Sequence, residues 1–396
     1  MRSAVIFLAL ACGVLSGPVE DEATQEFVTG NHKFTAAIYK EIIKKEKGNI
    51  IVSPLSAETV LALTNEGARG ETSREFVTGL SLPSSNEKIQ KAFKTFLPKL
   101  KRSEDDLKLL SANKIYVGKD VKLVDSFRDI ATTIYDSGVD NVNFAENVQA
   151  AQTINGWVED NTNDKIKNLI APDSISDDTK MVLVNALYFS GKWVSRFEDY
   201  ETTKKKFYKS KADTVDVDTM HQVEYLNYYE NPALKAKFLE LPYQGADITM
   251  VIVLPDEIEG LGALEQNIEQ VLEPQPFTKE RVDVDLPKFT IETEIKFVPI
   301  LKSLGIQRIF SDSADLSGLS STHKDLYVSD VIQKAFINVT ETGTEAAAAT
   351  AVGIALLSAP ILGSGGYIFR ADHPFIYYIR ENRSGGLLFV GRYNQN

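Results

Sequence analysis

Between Ala346 and Tyr367 the chain carries no charged side chain, although charged residues make up 25% of its 396 positions. A membrane span is a poor account of this stretch. Alanine contributes little hydrophobicity, Pro360 interrupts the run, and Gly363 to Gly366 ends it early for a bilayer crossing, which needs roughly 20 apolar residues. A buried helix would suit Ala346 to Ala349, but Thr350, Val352, Gly353 and Ile354 continue it badly and Gly343 precedes it. Read with the strand period, Thr344, Ala346, Ala348, Thr350, Val352 and Ile354 share one face, with Glu345, Ala347, Ala349, Ala351 and Gly353 on the other. The first face is small or apolar throughout. The segment can therefore become a central strand, and the strand-like run Tyr327 to Val339 just upstream is one it can fold back beside.

Elsewhere the composition is that of a globular protein. Hydrophobic residues make up 43% and the formal charge is −12, which excludes disorder and fibrous repeats and argues against a nucleic-acid footprint or a polybasic membrane surface. Arg2, the apolar run Ala4 to Leu15, the small residues Ser16 and Gly17, and the acids from Glu20 to Glu22 have the order of a secretory signal peptide. Removing residues 1–17 would take away Cys12, the single cysteine, together with Arg2, leaving 42 basic against 55 acidic residues and a net charge of −13. Residues 18–396 then read as one secreted domain, free of disulfides and dependent on a large core, with no linker, internal repeat or low-complexity tract dividing it.

Helical spacing marks Phe27 to Lys47, Pro54 to Thr64, Asn86 to Leu100 and Asn147 to Asn163. Strand-like runs are Asn49 to Val52, Ser111 to Val117, Met181 to Ser190, Glu224 to Tyr229, Ala236 to Leu241, Ile248 to Leu254, Arg281 to Leu286 and Tyr327 to Val339, with Ser103 to Asp106 as a loop. The mixture follows no strict strand–helix alternation.

Catalytic chemistry finds little foothold. His32, His221, His323 and His373 form no HExxH pair or other familiar ligand spacing, and there is no nucleophile elbow, P-loop or dinucleotide fingerprint. Asp105-Asp106 and Asp177-Asp178 read as solvated loop acids. Lys88, Lys91, Lys94, Lys99, Lys101 and Arg102 form a basic run that a sulfated polysaccharide would fit. Glu87 and the acids at 104 to 106 dilute it and Pro98 interrupts its helix, so it reads as a solvated face.

The segment Glu341-Thr342-Gly343-Thr344-Glu345-Ala346-Ala347-Ala348-Ala349-Thr350 closely resembles the reactive-loop hinge of inhibitory serpins. Phe369 to Ile379 resembles the C-terminal signature of that family, and Leu387 to Arg392 its last buried strand. Upstream, Asn49 to Leu55 with Ser53 and Ser56 resembles the shutter. Val184-Asn185 with Gly191-Lys192-Trp193 resembles the central strand and breach, and Asp315 to Gly318 also fits. Many members have a histidine where this chain has Gln333, a departure that implies altered pH behaviour there rather than lost inhibition. The alanine-rich hinge and this glutamine are most similar to arthropod haemolymph serpins.

The resemblance implies an α+β serpin fold of three β-sheets with eight or nine helices and an exposed reactive-centre loop at about 341–366. It implies no enzyme activity, cofactor, metal, nucleic acid or membrane. It implies instead a secreted monomer of haemolymph or plasma-like fluid, acting in innate immunity, that traps a serine protease in a covalent 1:1 complex. Counting from Gly343 along the family's usual spacing puts the reactive bond between Leu357 and Ser358. Leucine there favours chymotrypsin-like or elastase-like enzymes, and Leu356-Leu357 and Ala355-Leu356 offer neighbouring bonds. By the same resemblance Glu341 is placed to pair with Lys288. Asn382 and, less accessibly, Asn338 lie in glycosylation sequons. A non-inhibitory serpin acting as carrier or chaperone is the alternative reading.

Overall fold

The structure, a computed structural model, describes residues 21–100, 103–104, 107–245, 247–320, 322, 325–344 and 366–395. Helix α1 (Glu22–Lys45) starts before the apolar periodicity does, because the Asp21 carboxylate accepts the amides of Ala23 and Thr24 at 3.0 and 3.3 Å and so fills donors that a helix N-terminus leaves open. Strand β1 (Ile50–Val52) leads into α2 (Pro54–Gly67), where Ser53 caps the helix by accepting from the Ser56 amide at 3.3 Å. Helix α2 is buried on every side, with Glu58 and Glu66 among its buried residues. There follow α3 (Gly70–Gly79), α4 (Asn86–Leu100), β2 (Ser103–Glu104), β3 (Leu107–Gly118), α5 (Asp125–Thr133), β4 (Gly138–Val142) and α6 (Asn147–Asn161).

The second half is mostly sheet. It comprises β5 (Met181–Lys192), β6 (Thr203–Tyr208), β7 (Thr214–Asn231), β8 (Ala236–Pro242) and β9 (Ile248–Pro255), then α7 (Leu261–Gln266), α8 (Ile268–Leu272), β10 (Thr278–Pro287), β11 (Phe289–Lys296) and α9 (Val298–Ser303). The chain closes with β12 (Asp330–Val339), β13 (Gly343–Thr344), β14 (Tyr367–Arg370), β15 (Phe375–Glu381) and β16 (Leu387–Tyr393). The described residues thus contain nine α-helices.

Hydrogen bonding joins the described strands into two networks. One orders β11-β12-β13-β5-β3-β2, with β4 beside β3, and the other orders β1-β16-β15-β9-β8-β7-β10-β14, with β6 beside β7. Three separate sheets were expected. Two of them trace as one because β7 is 18 residues long, its first part pairing with β6 and its last with β8, while β10 runs antiparallel along it. Most buried apolar residues form one continuous core, and a smaller cluster under α6 packs Ile154 and Val158 against Tyr116, Val184 and Ile332.

Several local expectations change. Tyr327 to Ser329 precede β12, since the Val328 amide is taken by the Ile309 carbonyl outside the ladder. Ser103 and Glu104 form a short strand that turns back onto Lys108 and Leu107. Pro98 lies inside α4 without ending it. Most consequentially, the segment expected to be an exposed loop from residue 341 is seated in the sheet through Thr344, with Glu341 and Thr344 both buried.

Candidate functional site

Strands β12 and β5 pair in parallel from Asp330 opposite Val182 to Phe336 opposite Tyr188. Beyond that point they part, and β13 fills the gap, antiparallel to both, with Thr344 opposite Val339 and Gly191 and Gly343 opposite Lys192. Only glycine fits at 343: φ is 154°, and a Cβ would lie 2.0 Å from the Gly191 carbonyl oxygen. The Thr344 side chain is fully buried, its Oγ1 sharing a 2.7 Å hydrogen bond with the Tyr243 hydroxyl. Burial drives the Tyr243 phenol far above its ordinary range, so it stays protonated.

An aromatic and charged frame holds this seat. Trp193 stacks on Tyr243 with ring centroids 4.5 Å apart. The indole N–H of Trp193 donates to the Thr340 carbonyl and its backbone N–H to that of Thr342, each at 3.0 Å. The Phe197 amide donates to the Glu341 carbonyl at 2.9 Å. The Glu341 carboxylate lies 2.8 Å from the Lys288 ammonium and accepts from the Thr202 hydroxyl at 2.7 Å. Burial alone would raise that carboxyl, but the bonds from Lys288 and Thr202 outweigh it and hold the group below its ordinary value.

Further down, where β12 and β5 are zipped, lies a network of neutral groups. Gln333 on β12 accepts the Ser53 amide at 2.8 Å and donates to the Ser53 carbonyl at 2.8 Å and to the Asn185 side chain on β5. Asn185 donates in turn to Ser56 and Asn113, Ser56 donates to Asn113 at 3.0 Å, and Ser53 donates to the Leu388 carbonyl at 2.7 Å. One glutamine thus ties the first turn of α2, β5 and β12 together. Asn113 and Ser111 on β3 complete the network at 3.0 Å from each other, and with Tyr243 and Thr202 they are the members that sequence reasoning missed. All four stand in ordinary polar or aromatic surroundings in the sequence, so only the folded chain brings them to the site.

Glu345, Ala346, Ala347, Ala348, Ala349, Thr350, Leu357 and Ser358 lie outside the described residues, as does His323. The chain returns at Gly366 and runs as β14 parallel to β10. Asn382 is exposed in the turn between β15 and β16, its amide donating to Thr249 at 2.9 Å. Asn338 is half-buried on β12 and accepts from Thr290 at 2.8 Å. In the basic run, Lys88 spends its charge on Glu22 and Glu26, at 3.0 and 2.8 Å, and Lys91 lies 3.6 Å from Asp21. Among the described residues no group of three or more His, Cys, Asp or Glu is placed to hold a metal, and no helix is long and apolar enough to cross a membrane.

The family model described as serpin (serine protease inhibitor) matches residues 29–396. Antichymotrypsin-2 of Bombyx mori is 36% identical over 367 residues, covering 91% of this chain and 96% of the relative. The crystal structure of Serpin48, a highly specific serpin of the insect Tenebrio molitor, superposes with a TM-score of 0.88 at 42% identity, covering 96% of this chain and all of that one. Human thyroxine-binding globulin in complex with thyroxine superposes with a TM-score of 0.84 at 28% identity, covering 93% of this chain and 98% of that one.

Proposed function

Because the chain belongs to the serpin family of serine protease inhibitors, we propose that it is a secreted suicide inhibitor of chymotrypsin-like or elastase-like serine proteases, attacked between Leu357 and Ser358. The protease serine adds to the Leu357 carbonyl, the peptide bond breaks with Ser358 leaving as the new amine, and an ester joins the two proteins. The released hinge then enters the large sheet between β12 and β5 and carries the tethered enzyme with it.

The observation that carries this reading is the seat of Gly343 and Thr344. These two residues of the hinge already lie between the strands that must separate, antiparallel to both. Insertion continues a strand that has begun. It exchanges the parallel contact of β12 with β5 for two antiparallel ones, the slightly more stable arrangement per residue. A strand bonded on both sides gains on the order of ten hydrogen bonds at about 0.5 to 1.5 kcal/mol net each, before ordering costs, a sum comparable with the stability of a whole domain. By the strand period Ala346, Ala348 and Thr350 would follow Thr344 onto the buried face and Glu345 would fall on the other, so no charge has to be buried there on the way in.

Leu357 suits an apolar primary pocket, and Leu357→Arg is expected to move inhibition towards trypsin; unchanged selectivity in inhibition assays would mean the bond lies elsewhere. The enzyme is held in a 1:1 complex with a monomeric inhibitor that needs no cofactor, works in haemolymph or a similar extracellular fluid and carries a glycan at Asn382. A carrier function has one support, the likeness to thyroxine-binding globulin, and the small, uncharged Thr344 and Ala346 to Ala349 of the hinge stand against it. The test is to mix the full chain with chymotrypsin, elastase and trypsin and examine denaturing gels and the mass of the released peptide. A denaturant-stable complex with a peptide beginning at Ser358 supports suicide inhibition. Clean cleavage without a complex leaves the carrier reading.

A further inference from the structure

The parallel contact between β12 and β5 ends at one pair of aromatic side chains. Phe336 and Tyr188 are the last residues to pair before the strands part around Gly343 and Thr344, and their rings stack with centroids 6.5 Å apart and planes 29° from parallel. Strand alternation fixes the side on which they lie. Leu187, Phe189, Ala335 and Ile337 beside them point into the main core, whereas Val184 and Ile332, on the same face as the rings, belong to the cluster beneath α6. The rings therefore close the outer face of the fork, with Tyr188 buried and Phe336 half-buried.

The rows below are of a different kind. Lys334 stands opposite Ala186, and it spends its ammonium on Glu292 of β11 at 2.6 Å and on the Lys167 carbonyl at 2.9 Å, away from β5. The row after that pairs Ile332 with Val184 beneath α6. On the outer face, then, a ring-to-ring contact across the seam stands at the fork itself, where the two strands begin to diverge.

Register says what an advancing hinge meets. Thr344 stands opposite Val339 on one side and Gly191 on the other. Continuing that antiparallel register by three residues on each strand would bring Ala347 opposite both Phe336 and Tyr188. Neighbouring strands lie about 4.8 Å apart, so a strand placed between β12 and β5 doubles their separation to about 9.6 Å. Aromatic pairs interact at centroid separations up to about 7 Å. The stack is therefore lost, and the single methyl group of an alanine does not bridge the parted rings. This row is the first that has to part, and the bond between Gln333 and Asn185 lies three rows further down.

We propose that Tyr188 and Phe336 form a latch at the fork, which holds the hinge at its two-residue seat in the intact chain and slows its advance by about two- to tenfold, the range that an aromatic pair contributes beyond its burial. They are positioning residues, acting on the sheet rather than on the reacting atoms. The proposal rests on the inhibitory reading above, in which the hinge enters between these two strands.

The test follows uptake of a synthetic peptide of residues 345–356 by the full chain, read by native mass spectrometry. The chains compared are the parent, Tyr188→Leu, Phe336→Leu, the double variant, Phe336→Tyr and Tyr229→Leu. Tyr229 and Phe238 have the same 6.5 Å ring spacing where β7 pairs with β8, so Tyr229→Leu reports what losing an aromatic contact elsewhere does. Each leucine variant at the fork should take up the peptide more than about twofold faster than the parent. The double variant should be no faster than the faster single one, because one contact is lost once. Phe336→Tyr keeps a ring and Tyr229→Leu keeps the fork, so both should stay at the parent rate. If melting shows that Tyr188→Leu does not fold, the half-buried Phe336 carries the test alone. Fork variants within about twofold of the parent, no uptake by any chain, gains that multiply in the double variant, or an equal gain in Tyr229→Leu would each overturn the latch. No protease is present in this assay. The inhibitory reading therefore stands or falls separately, on whether the parent forms a denaturant-stable complex with chymotrypsin.

Discussion

The two ends of the contact between β12 and β5 are built from different chemistry. At the upper end the strands are held apart by two residues, Gly343 and Thr344, framed by an aromatic stack and the Lys288–Glu341 ion pair. At the lower end they are zipped together, and Gln333, Asn185, Asn113, Ser53 and Ser56 satisfy one another without any net charge. The upper end contains a group that titrates and a wedge that is already in place. The lower end contains hydrogen bonds that must be exchanged one for another if the wedge advances. A sheet built this way opens from one end, with its resistance concentrated in the neutral network.

The most severe way to break this contrast is Thr344→Arg. It puts a charge where the side chain is fully buried, at a cost of several kcal/mol when unpaired. The covalent complex should disappear from denaturing gels and cleaved chain should replace it; persistence of the complex would contradict insertion from this seat.

The next prediction concerns a buried carboxyl on the helix that Ser53 caps, outside the neutral network itself. Glu58, on α2 two residues beyond Ser56, is fully buried, accepts from Asn31 through one oxygen and has no partner for the other. Burial pushes its carboxyl up to about 8 from an ordinary 4.5. The folded chain therefore keeps a proton there that the unfolded chain gives up, and stability falls as pH rises from about 4.5 to about 8. Glu58→Gln should remove that slope and gain on the order of 3 kcal/mol at neutral pH. Denaturant titrations across this range would refute the assignment if parent and variant kept the same slope.

Gln333→His sharpens the contrast in the opposite direction. A neutral imidazole can accept from the Ser53 amide as Gln333 does, whereas the imidazolium cannot, which leaves a buried donor unpaired at about 1 to 3 kcal/mol. The variant should lose more stability than the parent as pH falls through about 6.5 and below, and superimposable acid melts would show that the network does not depend on this residue. The smallest effect is expected at the upper end. Because Glu341 is held below its ordinary value, its contribution is present above about pH 4.5 and lost as pH falls through the lower folded value. Lys288 is 38% exposed, so Lys288→Met should cost less than about 1 kcal/mol at neutral pH and should flatten the acid dependence. A steeper acid transition in the variant would contradict the pairing.

How far the sequence disclosed these two regions follows from the physics of each. The hinge was legible because the uncharged run that begins at its Ala346 has few uses, and the central strands because Met181 to Ser190 and Tyr327 to Val339 are continuously or alternately apolar. Strand β11 alternates buried and exposed residues along its whole length, a signal that sequence inspection can carry but that the runs identified above do not include. The short helices α3, α5 and α7 to α9 are stabilised by what they pack against, and α3, α5, α7 and α9 lack a side-chain cap, so no local start signal announces them. Asn113, Tyr243 and Thr202 were hidden for a different reason. Each is an unremarkable residue whose partner lies far along the chain: the order β12-β13-β5-β3 brings Asn113 beside Asn185, whereas Tyr243 and Thr202 lie outside those strands and meet Thr344 and Glu341 only in the folded chain. The seating of Glu341 to Thr344 inside the sheet also escaped pattern reading, since a Thr-Gly-Thr sequence is as compatible with a turn as with a strand.

The central claim is that cutting the loop lets the hinge complete the strand that Gly343 and Thr344 begin. Its most direct test is a thermal melt of the chain after stoichiometric cleavage at Leu357-Ser358, compared with the intact chain under the same conditions. Gaining a strand with two hydrogen-bonded neighbours should raise the midpoint by on the order of 10 °C or more, despite the broken backbone. A cleaved chain that melts at or below the intact midpoint would contradict the account.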